Sequence, residues 1–328
     1  MTSPARDADS LPSETSPDSA PVHVGGRATP LDFLFFARPV LLPPVWTIAL
    51  LGTIIPGRWR IDGWWWLVFF VQLSCLFGAV YTLNQIRDIE SDRLNRKLFF
   101  LPEGLISLRA AWRYTIALNL AALVLALWFG LASAILTAAV IALGIAYSLG
   151  RSPWKNRPLL GLLANVLGHG TLVFLLGRVF VGQSVSGSVW PSLPYFLAVG
   201  AVYLATTVPD AIGDRLSNKR TVAVCVGGRL TMAIAALFVS GSVALAVAVA
   251  DRHLLVAAII VWPFFGLGVW RPRLWAARAA QAAVLALSLA AAWAYPAYAV
   301  LLFAGFMGTR LFFRWRFGMN YPSFGTGK

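Results

Sequence analysis

The sequence predicts an all-α protein, a polytopic transmembrane helix bundle of nine spans, or ten with a short last one, arranged as two similar four-helix halves around a central cavity. Three observations predict it. Of 328 residues 59% are apolar and the mean hydropathy is +0.72, well above the roughly 45–50% apolar share of a soluble domain. The apolar residues gather in runs near the ~20 that cross a bilayer as helix. A short acidic pattern occurs twice, four spans apart.

Residues 1–29 are rich in Ser, Pro, Asp and Ala and have no apolar h-region, so they read as a disordered tail rather than a signal peptide. Spans are then expected at about 31–55, 64–83, 110–131, 132–149, 158–176, 190–208, 230–250, 254–270 and 279–309. The last run is long, about 46 Å as helix at ~1.5 Å per residue, against a hydrocarbon core of ~30 Å. Pro296 lies near its middle and removes a helical hydrogen bond. Two short segments hinged at Tyr295 and Pro296 are therefore expected, within a transmembrane domain at 30–313 and ahead of a basic tail at 314–328.

The formal net charge of +14 does not call for nucleic acid, because topology accounts for much of it. With the N-terminus inside, the even-numbered loops carry Arg87, Arg93, Arg96, Lys97, Arg109 and Arg113, then Arg151, Lys155 and Arg157, then Arg215, Lys219, Arg220 and Arg229, then Arg271, Arg273 and Arg278. The odd-numbered loops carry only Arg58, Arg60, Arg178 and Arg252. This is the positive-inside asymmetry, and it places the chain in a cytoplasmic membrane with the acidic stretches on the cytoplasmic side. Cys75 and Cys225 lack metal-ligand or disulfide spacing and read as packing residues.

Acid is scarce. Of thirteen carboxylates four lie in the first 29 residues, and five of the other nine fall in "DIESDRLNRK" (88–97) and "DAIGDRLSNK" (210–219). Both stretches read Asp, three residues, Asp, Arg, Leu, at the inner ends of the second and sixth spans. Carboxylates four apart share a helix face, so Asp88 and Asp92 form one pair and Asp210 and Asp214 another, with Asn84 extending the first face inward. Like charges so arranged repel unless a cation sits between them. Oxygen-only donors suit Mg²⁺, which binds through carboxylates and substrate phosphate, and Arg93, Arg215 and Lys219 are suited to phosphate oxygens. The competing reading is two solvated helix ends making weak surface ion pairs; the matched repetition argues against it.

"NQIRDIESDRLNRK" (84–97) is similar to the Asn-x-x-x-Asp-x-x-x-Asp motif of the UbiA superfamily of intramembrane prenyltransferases, and "DAIGDRLSNKRT" (210–221) resembles its second acidic motif. "ARPVLLPPVW" and "YSLGRSPWKNRPLLGLLANVLGHG" resemble its first span and its fourth loop with fifth helix. Lys97, Glu103 and Asn218 depart from the family pattern and blur any inference about the acceptor. The resemblance implies Mg²⁺-dependent ionisation of a prenyl diphosphate donor in a lipid-opening cavity and transfer to an acceptor the sequence does not name. It also implies that Tyr147 and Lys155, with weaker support for Arg157, contact diphosphate; otherwise they are an interfacial tyrosine and positive-inside cations. Asn165 and His169, at i and i+4 on the fifth helix, either line the acceptor pocket or bond between helices. Acceptor-free cyclisation, as in a membrane terpene cyclase, is the alternative chemistry; a transporter or a scaffold fits the clustered acids less well.

Overall fold

In a bilayer the backbone N–H and C=O groups have no partners but each other, so apolar runs of this length fold as helices. The structure, a computed structural model, describes residues 27–55, 63–94 and 100–322. Most of the expected tail and the cations Arg58, Arg60, Arg96 and Lys97 lie outside the described residues. Those described contain helices and no strand. The first span is α1 (Pro30–Phe36) and α2 (Leu42–Thr53), joined by a 3-10 turn at Pro39–Leu41; the second is α3 (Gly63–Arg87), followed by the short α4 (Ile89–Leu94). Next come α5 (Leu108–Trp128) and α6 (Leu131–Ser148), then one span made of α7 (Pro158–Asn165), a π-helical stretch at Val166–Leu172 and α8 (Val173–Phe180). The remainder is α9 (Val185–Leu216), α10 (Val222–Ala248), α11 (Arg252–Trp270), α12 (Pro272–Ala294) and α13 (Pro296–Phe317).

Ten helical segments among the described residues are long and apolar enough to cross a membrane. The tenth arises where Pro296 was expected to break the last run, since α12 stops at Ala294 and α13 starts at Pro296. Neither half is short, which corrects the expectation: they have 23 and 22 residues. The hydropathy reading trimmed Arg273, Arg278, Arg310, Arg314 and Arg316, all of which the helices carry, and residues 314–317 are helix rather than tail. Cys225 is exposed rather than packed, while Cys75 is half-buried.

Small residues set the closest helix approach. A Cβ at Gly52 would lie 2.5 Å from the Phe174 carbonyl oxygen, and one at Gly177 would meet the Ala49 backbone, so α2 and α8 touch through backbone. Buried polar groups pair across helices, as Gln72 with Thr137 (3.0 Å) and Thr82 with Thr115 (2.8 Å). The Tyr298 hydroxyl meets Thr47 Oγ1 (2.8 Å) and donates to the Pro43 carbonyl (2.9 Å), and Tyr295 meets Thr53 (2.8 Å). Arg316 pairs with Asp32 at the far end of α13. Thus α13 runs back along the first span, and its end lies beside the start of α1.

Candidate active site

The first acidic stretch begins in the last turn of α3. The chain changes from α3 to α4 at Asp88, yet helical bonding continues, with Asp88 N donating to Asn84 O (3.0 Å) and Asp92 N to Asp88 O (2.7 Å). Asn84, Asp88 and Asp92 therefore stack one turn apart, half-buried, with Glu90 exposed. The second stretch closes α9, where Asp214 is half-buried and Asp210 exposed. Asn218 then adopts a left-handed φ of 55° and Lys219 N donates back to Asp214 O (2.8 Å). Asparagine tolerates that conformation at a helix end almost as well as glycine, so this departure from the family pattern preserves the turn.

A 3-10 turn at Trp154–Asn156 carries Lys155 into the first stretch. Its Nζ lies 2.6 Å from Asp88 Oδ1 and 3.0 Å from Asn84 Oδ1. Burial lowers the Lys155 pKa, and the Asp88 carboxylate acts the other way. Lys219 and Arg87 lie within electrostatic reach of Lys155. Tyr147, in the last turn of α6, is within reach of both Asp88 and Asp214, and Tyr203 on α9 within reach of Tyr147 and Asp214. The two acidic stretches thus share one end of the bundle and one tyrosine.

Two cavities open below. The first, about 210 Å³, is lined by Arg38, Tyr81, Asn84 and Tyr147 above an apolar wall of Phe77, Val80 and Leu143. The second, about 190 Å³, is lined by Tyr203 and Thr206 of α9 with Thr47, Ile48, Val199 and Leu287. Asn165 and His169 line both. The Asn165 amide donates to Gly161 O in its own helix (2.9 Å), and the His169 ring lies 4.9 Å from that of Phe77. His169 belongs to the π-helical stretch, a local widening often found at functional sites.

Of the predicted residues Asn84, Tyr147, Asn165 and His169 line the two cavities, whereas the four aspartates, Lys155 and Lys219 stand outside the linings, as do three arginines. Arg93 is exposed and donates to the Pro102 carbonyl (3.0 Å), Arg157 is exposed against Ser152 (3.1 Å), and Arg215 is exposed. Among the described residues no three His, Cys, Asp or Glu side chains already converge at metal-binding distance. The donor chemistry nevertheless fits a hard cation, because Asn84 and Asp88 point oxygens at one ammonium, which stands where positive charge is needed.

Tyr81 and Tyr203 escaped the sequence reading, and Arg38 entered it only within the Arg-Pro of the first span, without a site role. Both tyrosines had a signal: each stands seven residues before an acidic pair, so the repeat is longer than Asp-x-x-x-Asp and reads Tyr-x₆-Asp-x₃-Asp-Arg-Leu at 81–94 and 203–216. At the position one turn before the first aspartate, Asn84 in one copy matches Thr206 in the other. Arg38 gave less warning. It has a left-handed backbone (φ 57°, ψ 59°) before Pro39, consistent with the exclusion of right-handed helix before proline, and its buried Nε has no hydrogen-bond partner among the described residues.

Fold and site define a membrane-embedded helical bundle with paired carboxylates at the end that lies over two largely apolar cavities. The chain belongs to the UbiA prenyltransferase family, whose family model matches residues 41–287. It is 34% identical over 164 residues to the digeranylgeranylglyceryl phosphate synthase of Halobacterium salinarum, covering 49% of this chain and 57% of that enzyme. With the homogentisate phytyltransferase of a Synechocystis strain it shares 30% identity over 220 residues, 61% of this chain and 70% of that one. The fold matches a UbiA homolog from Archaeoglobus fulgidus solved with GPP and Mg²⁺, at a TM-score of 0.63 and 18% identity over 83% of this chain and 99% of that chain.

Proposed function

We propose that this protein transfers an isoprenyl group from a prenyl diphosphate to an aromatic, quinone-precursor or polar-lipid acceptor inside the membrane, releasing diphosphate, with Mg²⁺ as cofactor. The observation that carries this is the convergence of Lys155 on Asn84 and Asp88 beside a tyrosine within reach of both acidic stretches. The names of the matched relatives and the GPP and Mg²⁺ in the solved homologue support it. Cyclisation without acceptor gains no support from these comparisons.

In the reaction the allylic carbon–oxygen bond breaks, its electron pair leaving with the diphosphate, while an electron pair of the acceptor forms the new bond and the acceptor sheds a proton. Asn84, Asp88, Asp92, Asp210 and Asp214 would hold Mg²⁺, which when bound neutralises the diphosphate and favours its departure. Lys155 exchanges Asp88 for a diphosphate oxygen, with Tyr147 and Lys219 beside it. The exposed Arg93, Arg157 and Arg215 raise the local concentration of an anionic donor. The apolar walls exclude water from the allylic cation, and the Phe77 and Tyr81 faces can stabilise it. Asn165 and His169 orient the polar group of the acceptor, and the acidic end faces the cytoplasm. The test is to supply membranes carrying the protein with labelled prenyl diphosphates of several lengths and a panel of acceptors. A labelled acceptor in any pairing supports the reading, and label recovered only in rings or alcohol across the whole panel overturns it.

A further inference from the structure

We propose that α13 braces the first acidic stretch, with Phe313 and Arg316 as positioning residues that act through the helix bearing Asn84, Asp88 and Asp92. The inference rests on the reading of that stretch as a Mg²⁺ and diphosphate site. The helix lies wholly beyond the family match, which ends at residue 287, so nothing in the shared domain accounts for what it does.

Its inner end is anchored by charge. Arg316 reaches Asp32 with Nε (3.1 Å) and Nη2 (3.4 Å), and Asp32 is fully buried. Asp32 in turn accepts from Thr29 N (2.7 Å) and Thr29 Oγ1 (2.9 Å), which fixes the start of α1. A buried carboxylate of this kind holds its cation tightly because neither can be left alone in a low dielectric.

From that anchor an apolar cluster leads to the acids. Phe312 stacks on Phe35 at 3.9 Å, Phe313 and Phe317 meet Phe100 edge-on at 6.2 and 5.6 Å, and Phe100 meets Phe36 at 6.1 Å. The Phe36 carbonyl accepts from Gln85 Nε2 (2.8 Å), and Gln85 adjoins Asn84. Ile86, two residues before Asp88, is buried in the same cluster, with Ile89 packed against it. At the other end of the stretch Arg93 donates to Pro102 O, in the segment whose Phe100, Leu101 and Ile106 belong to the cluster. The acidic helix is therefore gripped before and after its carboxylates by a cluster that α13 completes. Mg²⁺ demands near-ideal octahedral geometry, so a small rotation of that helix weakens the site without unfolding the bundle.

The experiment measures Mn²⁺ binding to the purified full-length protein in detergent, with inorganic diphosphate present, by electron paramagnetic resonance. Wild type is compared with Arg316→Gln, Arg316→Lys and Phe313→Leu, each checked for unchanged helix content and a single size. The brace predicts roughly three- to tenfold weaker Mn²⁺ binding in Arg316→Gln and Phe313→Leu, with part of the loss recovered in Arg316→Lys. Should Arg316→Gln fail to fold, Phe313→Leu, which keeps an apolar side chain, decides the question. Wild-type affinity in the folded variants overturns the brace alone. Absence of Mn²⁺ binding in wild type overturns the reading of the site beneath it, and the brace with it.

Discussion

At the scale of the residue, Lys155 and Asp88 carry the argument, because an ammonium already occupies the point where anionic oxygens gather. Replacing Asp88, Asp92, Asp210 or Asp214 by Ala should lower activity roughly a hundredfold or more while membrane insertion is unchanged, since each removes a carboxylate rather than packing. Glu90 is exposed and its replacement should leave the rate near wild type; an assay of all five variants in membranes checks both statements, and a near-normal Asp92→Ala rate would sink the assignment. Lys155→Ala should raise KM for the donor more than it lowers kcat, as a lost donor contact would. The aspartates were legible because acid is so rare in this chain that its repetition stands out. The Arg-Pro of the first span was visible, but the place of Arg38 in the cavity lining was not, since one arginine beside a proline has many reasons to exist and its αL backbone is invisible in sequence. Tyr81 and Tyr203 were legible in principle but were masked by the many aromatic residues of an apolar chain.

At the scale of the element, apolar runs located the membrane-length helices, because crossing a bilayer sets a minimum apolar length. The ends were read less well, since hydropathy discounts arginines that a helix can carry to the interface with their heads in the polar layer. This is why α12 and α13 are each long and apolar enough to cross a membrane although one long run with two short halves was expected. Nothing in the sequence reading marked the π-helical stretch, in which Gly170 lies against the backbone of Tyr195 and Phe196. The contact of α2 with α8 gives an element-scale prediction. Gly52→Ala pushes a methyl group against the Phe174 backbone, which cannot rotate away, so it should destabilise the bundle by about 1–3 kcal/mol. Gly168→Ala, where a Cβ meets nothing within 4 Å, should not. Thermal unfolding in detergent separates them, and equal midpoints would contradict the close approach.

At the scale of the whole molecule, the Asp32–Arg316 pair brings the start of the first span and the end of the last to one end of the bundle. A reporter fused after Lys328 should therefore be shielded from an external reagent in intact cells, as should one at the N-terminus; an accessible C-terminal tag beside a shielded N-terminal one would contradict an even number of crossings. The longer tyrosine-containing repeat supports a proposal of two related halves, each offering one acidic pair to the shared mouth. The central claim, that these pairs together drive Mg²⁺-dependent prenyl transfer, meets its most direct test in one measurement. Membranes carrying wild type or Asp214→Ala are given a labelled prenyl diphosphate and an acceptor it prenylates, with Mg²⁺ or after exhaustive chelation. The account predicts labelled acceptor only in wild type with Mg²⁺, and full transfer after chelation or by Asp214→Ala would contradict it.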